Sequence, residues 1–180
     1  TPAAILEKII RYEAVHEIQG WDDLRRRLDP ADRRCFAFFH PSLIDEPLIF
    51  VEVALLPEMA DGIAPLIDKH AAPLPPEQFK VAAFYSISNC QPGLRGVSLG
   101  NFLIKRVAEH LKRELPQLKT FCTLSPIPDF LAWLQRAEPA ALSEGAAQAL
   151  ALLRQACGGD LGALSHAASL RALSGATHHA

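Results

Sequence analysis

Two places in the chain carry residues arranged for chemistry. The first is Arg95-Gly-Val-Ser-Leu-Gly100, followed by Asn101. Small residues there let a chain leaving a strand bend tightly, because glycine admits positive φ and close backbone approach. The leading N–H groups of a helix that begins there have no intrahelical partner. With the positive end of the helix dipole, they form a cradle for phosphate or pyrophosphate. The same pattern also serves as a plain tight connection. The second place is Ser125 in Ser125-Pro-Ile-Pro128, where flanking prolines keep the backbone extended. Taken alone, Ser125 reads as a strand-end or helix N-cap serine, and a serine needs an adjacent imidazole to become a base.

Other candidates have a bland reading beside the functional one. Ser86 and Ser88 alternate along one strand and share a face. One could line a pocket, although cross-strand packing is the commoner use. His40, next to Pro41, reads as a loop histidine. Lys105 and Arg106 could meet phosphates or form a solvated helix face. Asp22-Asp23 and Asp45-Glu46 make no metal set. Cys35, Cys90, Cys122 and Cys157 lie far apart without Cys-x-x-Cys or Cys/His spacing, so structural zinc is not expected. Thiols flanked by apolar segments behave as small hydrophobes, and we read them as reduced, in a cytoplasmic compartment.

Composition narrows the class. The chain has 180 residues, 49% of them hydrophobic and 21% charged, as in an ordered globular protein with a sizeable core. A formal net charge of −2 argues against nucleic-acid binding, which needs a concentrated basic excess. No apolar run is long enough to cross a bilayer. The opening TPAAILEKIIRYEAV threads charges through apolar positions at helical spacing, unlike a signal peptide.

The elements that must position these residues are legible from periodicity. Ile5, Leu6, Ile9 and Ile10 predict a first helix ending near Val15, read with residues 1–18 as a linker from an upstream helical region. Trp21 to Leu28 predicts a second helix, which Pro30 ends. Cys35 to Phe39 and Leu48 to Leu55 read as strands joined by a hairpin through residues 40–47. Residues 63–70 predict a helix, and 72–76 a proline-rich extended linker. Lys80 to Ile87 is apolar enough for a central strand covered on both faces. Residues 101–115 keep the stripe Phe102, Leu103, Val107, Leu111 and Leu115, so a helix is expected there until Pro116. Thr120 to Leu124 is the next strand, and Phe130, Trp133 and Leu134 open another helix. Strand, turn, helix and strand compose a βαβ unit with parallel strands, inside a mixed sheet because of the upstream hairpin. Residues 19–137 form the α/β core. Residues 138–180 form an Ala/Leu-rich helical segment, with helices over 141–157, closed by Gly158-Gly159, and over 161–173, then a frayed tail.

The turn at Arg95 to Gly100 resembles the acyl-CoA loop of the GNAT acetyltransferase superfamily, with Ser98 where glycine is common. Arg33-Arg-Cys-Phe, Glu46-Pro-Leu, Phe84-Tyr-Ser-Ile-Ser, Gly93-Leu-Arg-Gly-Val, Leu99-Gly-Asn-Phe-Leu-Ile-Lys-Arg-Val and Leu124-Ser-Pro-Ile-Pro narrow it. Across residues 5–133 they are similar to the malonyl-CoA decarboxylase family. The resemblance implies a GNAT-like mixed sheet flanked by helices. It also implies coenzyme A held by Arg95, Gly96, Val97, Ser98, Leu99, Gly100 and Asn101, with Ser125 as an active-site residue. Malonyl-CoA would be the substrate, no further cofactor or metal would be needed, and the full-length protein would be a homo-oligomer.

The family pattern also includes a downstream histidine in a Pro-Val-Ala-x-Phe-His-type segment, which does not occur in these residues. His166, His178 and His179 lie in sequence that does not match it, and the chain reads as the first half of a catalytic domain. Two alternatives therefore remain beside decarboxylation. One is a GNAT acyltransferase, which would need a second-substrate groove and a base near Tyr85. The other is a non-catalytic module that binds coenzyme A or serves assembly.

Overall fold

Long β-branched and aromatic runs settle at the middle of a sheet, where both faces can be covered. In the computed structural model, which describes residues 1–165, the strands Pro47–Leu56 (β2) and Val81–Asn89 (β3) take those places. Arg33–Phe39 (β1) and Thr120–Thr123 (β4) flank them, in the order β1-β2-β3-β4. β1 pairs with β2 and β2 with β3 antiparallel, while β3 and β4 run parallel. The chain divides into two compact units, Thr1–Pro126 and Ile127–Ala180, and the sheet belongs to the first.

The first unit also holds the helices Ala3–Tyr12 (α1), Trp21–Leu28 (α2), Ala64–Ile67 (α3) and Leu99–Glu114 (α4). Leu103, Val107 and Leu111 recur every fourth residue of α4. They pack on Ile49, Val51, Val53 and Leu55 of β2 and on Ala82 and Phe84 of β3. The opposite sheet face has two apolar patches. Phe50 and Cys90 meet Ile9, Ile18 and Leu24 from the α1–α2 region. Ala54, Leu56, Val81, Ala83 and Tyr85 meet Leu66 of α3.

Between the two patches lies a buried polar row, Glu52, Ser86 and Ser88. A β-bulge puts it there. The β2–β3 register jumps from Glu52↔Ser86 to Val53↔Phe84, leaving Tyr85 without a cross-strand partner. Phe84 and Ile87 therefore both face α4, while Tyr85 packs on the other side. One extra residue resets the alternation along a strand.

Several boundaries differ from the sequence expectation. α1 stops at Tyr12 rather than near Val15, because the Glu13 carboxylate takes the amides of Val15 and His16 at 2.9 and 2.8 Å. The helix expected over 63–70 shrinks to Ala64–Ile67. Asp68 leaves helical geometry, and its carboxylate accepts the His70 amide at 2.9 Å. β3 runs on to Asn89, and α4 starts at Leu99 rather than Asn101.

The second unit contains Phe130–Arg136 (α5) and Glu144–Ala156 (α6), with Leu134, Leu150 and Leu161 buried together. Gly158 and Gly159 take positive φ and close α6. Of the helix expected over 161–173, Leu161–Ser165 is a 3-10 turn. The remainder lies outside the described residues, as do the tail and His166, His178 and His179. No helix among the described residues is long and apolar enough to cross a membrane.

Candidate functional site

β3 and β4 start level and run the same way, so the segments leaving the two strands emerge at one end of the sheet. Their pairing closes at Phe84↔Thr123, and the Leu124 amide then donates to the Phe84 carbonyl at 2.9 Å. That bond ties the backbone immediately ahead of Ser125 to β3. β3 itself continues from Tyr85 to Asn89 without β4 alongside.

Past Asn89 the chain makes the 3-10 turn Pro92–Leu94 and enters α4. The Arg95 amide donates to Pro92 O at 3.2 Å and the Val97 amide to Leu94 O at 3.0 Å. The Gln91 side chain donates to Pro47 O at 3.1 Å, fastening the start of the turn to β2. Gly96 has φ +85, a conformation that side-chain-bearing residues rarely adopt. Arg95, Gly96, Val97, Ser98 and Asn101 are exposed, Leu99 and Gly100 half-buried. Ser98 precedes the helix but supplies no side-chain cap, and the amides of Gly100 and Asn101 have no acceptor among the described residues. The first turn of α4 therefore presents free N–H groups toward solvent.

Gly100 has a second role. A Cβ placed there would meet Ile87 Cγ2 at 3.3 Å and Ile49 Cδ1 at 3.7 Å. The missing side chain lets the helix start lie directly against β2 and β3. A cavity of about 240 Å³ opens beside the turn, lined by Asn89, Cys90, Gln91, Pro92 and Arg95.

Ser125 is exposed. The N-cap position of α5 belongs to Asp129, at φ +60, so Ser125 is a strand-end serine and not a helix cap. Its hydroxyl has no hydrogen-bond partner among the described residues.

The remaining candidates fall into structural roles. Ser86 Oγ lies 2.7 Å from both carboxylate oxygens of Glu13, and Ser88 Oγ lies 3.2 Å from Oε2. His40 is exposed, and its Nδ1 accepts the Ser42 amide within the hairpin. Lys105 and Arg106 are exposed, Arg106 pairing with Glu109 one helical turn on. Asp23 binds Arg27, and Glu46 binds Lys8 at 2.7 Å and the Tyr12 hydroxyl at 3.1 Å.

The sequence reading missed a buried charge network. Arg27, 1% exposed, donates to Asp23, to Glu52 and to the carbonyls of His16 and Glu17. Burial acts to lower its pKa, but the Asp23 hydrogen bond and the Glu52 charge outweigh it and raise the value. Burial, reinforced by the Glu13 charge and opposed by Arg27, pushes Glu52 up to about 7. Tyr85 is raised well above its usual value by burial and then by the Glu52 carboxylate beside it, and its hydroxyl makes no well-formed hydrogen bond among the described residues. Burial lowers His16. One signal was available: Glu52 interrupts an otherwise apolar strand, and an acid in a covered strand needs a partner.

Comparison with known proteins gives this geometry a family. The family model described as the malonyl-CoA decarboxylase C-terminal domain matches residues 1–175, well past Trp133, where the recognisable motifs stop. The mitochondrial malonyl-CoA decarboxylase of Mus musculus is 45% identical over 136 residues, 74% of this chain and 27% of that protein. The one from Anser anser anser is 45% identical over 137 residues, with the same coverage. Crystal structures of malonyl-CoA decarboxylase from Rhodopseudomonas palustris and Agrobacterium vitis are each 56% identical. Their TM-scores are 0.71 and 0.72, and each match covers 87% of this chain. The chain spans about a quarter of the length of the curated relatives and 38–39% of these solved chains. It belongs to the malonyl-CoA decarboxylase family.

Proposed function

We propose that this chain carries the coenzyme A thioester site of a malonyl-CoA decarboxylase on a GNAT-like sheet. Residues 95–101 hold the pyrophosphate, and Ser125 stands at the acyl end. One observation carries the reading. Because β3 and β4 are parallel, the turn into α4 and the exposed Ser125 hydroxyl leave the sheet at one end. A ligand gripped at the helix start can then extend toward the serine. Free amides at the start of a helix suit a diphosphate, and Gly96 and Gly100 keep side chains out of the way.

The chemistry needs no separate cofactor. The bond between the carboxylate carbon and Cα of malonyl-CoA breaks, and its electron pair moves into the thioester as an enolate while carbon dioxide leaves. A proton added to carbon gives acetyl-CoA. Ser125 donates a hydrogen bond to the thioester oxygen as negative charge gathers there, a contribution of about 3 kcal/mol for one well-placed donor. The proton comes from an acid outside the described residues, in keeping with the downstream histidine that the family pattern implies. The whole protein is proposed to be a homo-oligomer. Cys35, Cys90, Cys122 and Cys157 are all free, in keeping with the proposed reducing, cytoplasmic-type compartment, whereas the mouse and goose relatives are named as mitochondrial.

The acyltransferase alternative has less support, because Tyr85 is 1% exposed and Glu52 fully buried, out of reach of a second substrate. The test pairs malonyl-CoA binding with carbon dioxide release, using this chain and the full-length protein. Binding by both, with release by the full-length protein, supports the proposal. Acyl transfer to an amine without carbon dioxide selects the acyltransferase. Binding with neither reaction selects the assembly module, and absence of binding ends the proposal.

A further inference from the structure

The half of β3 from Tyr85 to Asn89 has β2 on one side and, among the described residues, no strand on the other, yet it delivers the chain into the turn at residues 91–98. Something other than a strand must hold it. On the α4 side Ile87 packs against the core, directly under Gly100. On the opposite side Ser86 and Ser88, each 1% exposed, both bond the carboxylate of Glu13, which lies outside the sheet.

Glu13 lies in the α1–α2 connection, and its carboxylate organises that connection as well. Oε1 accepts the amides of Val15 and His16, while the Ala14 amide donates to Ser88 Oγ at 3.1 Å. From the far side, Arg27 Nη1 and Nη2 hold the carbonyls of His16 and Glu17 at 2.7 and 3.0 Å. The connection is thus fixed to α2 by Arg27 and to β3 by Glu13. A hydroxyl bonded to carboxylate is a strong charge-assisted contact, and both serines lie on the stretch that β4 leaves uncovered.

We infer that Glu13 is a positioning residue for the thioester site: through Ser86 and Ser88 it sets the line of the uncovered half of β3 and the turn it feeds. This rests on the proposed role of residues 95–101, but its structural half can be measured without any ligand. Glu13 touches no substrate. It acts through the two serines.

The test compares E13Q, S86A and the double variant with L66V, a core change on the same sheet face that contacts neither serine nor the turn. Coenzyme A affinity is read by calorimetry, and amide hydrogen exchange is read at residues 86–101 in ligand-free protein. E13Q and S86A should each weaken coenzyme A about tenfold and speed exchange at 86–101 at least tenfold. The double variant should be no worse than E13Q, since both changes cut one linkage. L66V should lower the melting temperature and leave affinity and local exchange unaltered. If E13Q fails to fold, S86A alone decides the outcome. Unchanged exchange at 86–101 in S86A overturns the inference, as does an equal loss of affinity in L66V. Faster exchange in E13Q and S86A, with no coenzyme A binding by the unaltered protein, leaves the strand coupling standing and overturns both the assigned site and Glu13's role in it.

Discussion

Arg27 Nη1 stands 3.4 Å from Glu52 Oε2, and neither side chain reaches solvent. Such a pair is retained only where further hydrogen bonds satisfy it, and Arg27 has Asp23 and two carbonyls for that purpose. Glu52 is less well served, since its Oε1 has no hydrogen-bond partner among the described residues. The two ends of this contact are therefore unequal, and the carboxylate is where pH acts.

Folding raises the Glu52 pKa from an ordinary carboxylate value to about 7. The folded protein then binds more protons than the unfolded chain between about 4.5 and about 7, so stability falls as pH rises through that window. The loss is at most about 3 kcal/mol, at 1.36 kcal/mol per pKa unit. Urea unfolding of the unaltered protein and E52Q from pH 4 to 8 should give a difference curve that descends across this range and is flat above it. A flat difference throughout would mean that Glu52 titrates as an exposed carboxylate.

Replacing Gly96 with valine should cost about 1–3 kcal/mol in stability, because φ +85 is strained for a β-branched residue. It should also weaken coenzyme A at least tenfold. No atom lies within 4 Å of the missing Cβ, so the penalty comes from the backbone and from the ligand's path rather than from packing. Calorimetry with coenzyme A beside thermal unfolding separates the two effects. Full affinity in G96V would remove the turn from the site.

Gly100 should respond through packing. G100V drives two methyl groups toward Ile87 and Ile49, and overpacking of this kind costs about 1–3 kcal/mol. Pairing it with Ile87→Ala should recover part of the loss. Purely additive destabilisation would show that the helix start does not bear on Ile87.

Ser125→Ala in the full-length protein should lower kcat for decarboxylation about 100-fold or more, as expected for loss of one oxyanion donor, while coenzyme A affinity stays put. Carbon dioxide release and calorimetry on the same preparation test this. An unchanged rate would leave Ser125 as an exposed strand-end residue only.

Cys90 is 4% exposed, and burial pushes its thiol up to about 12; Cys35 is likewise raised by burial. Cys90 should react with an aromatic disulfide reagent at neutral pH at least 100-fold more slowly in folded protein than in urea, since the thiolate is the reactive form. Mass mapping of the labelled cysteines gives the rates. Prompt labelling of Cys90 would show the end of β3 opening readily.

What the sequence settled by itself was local and periodic. The apolar run at β2, the four-residue stripe of α4 and the glycine-bearing turn between β3 and α4 each announce themselves within a short window, because propensity and periodicity act over a few residues. Motif matching went further and identified the family, with residues 95–101 and Ser125 as its candidate site. Tertiary structure decided the rest. An acid in the α1–α2 connection holds two serines about 70 positions downstream, and no local pattern reports a bond of that span. The bulge at Tyr85 is equally invisible in the alternation of β3, since register depends on which β2 residue sits opposite. The same holds for the shortened α1: its end was fixed by the Glu13 carboxylate capturing two amides. Burial of Glu52 beside Arg27 has the same origin, since a charge's environment is set by chain segments distant in sequence that fold over it.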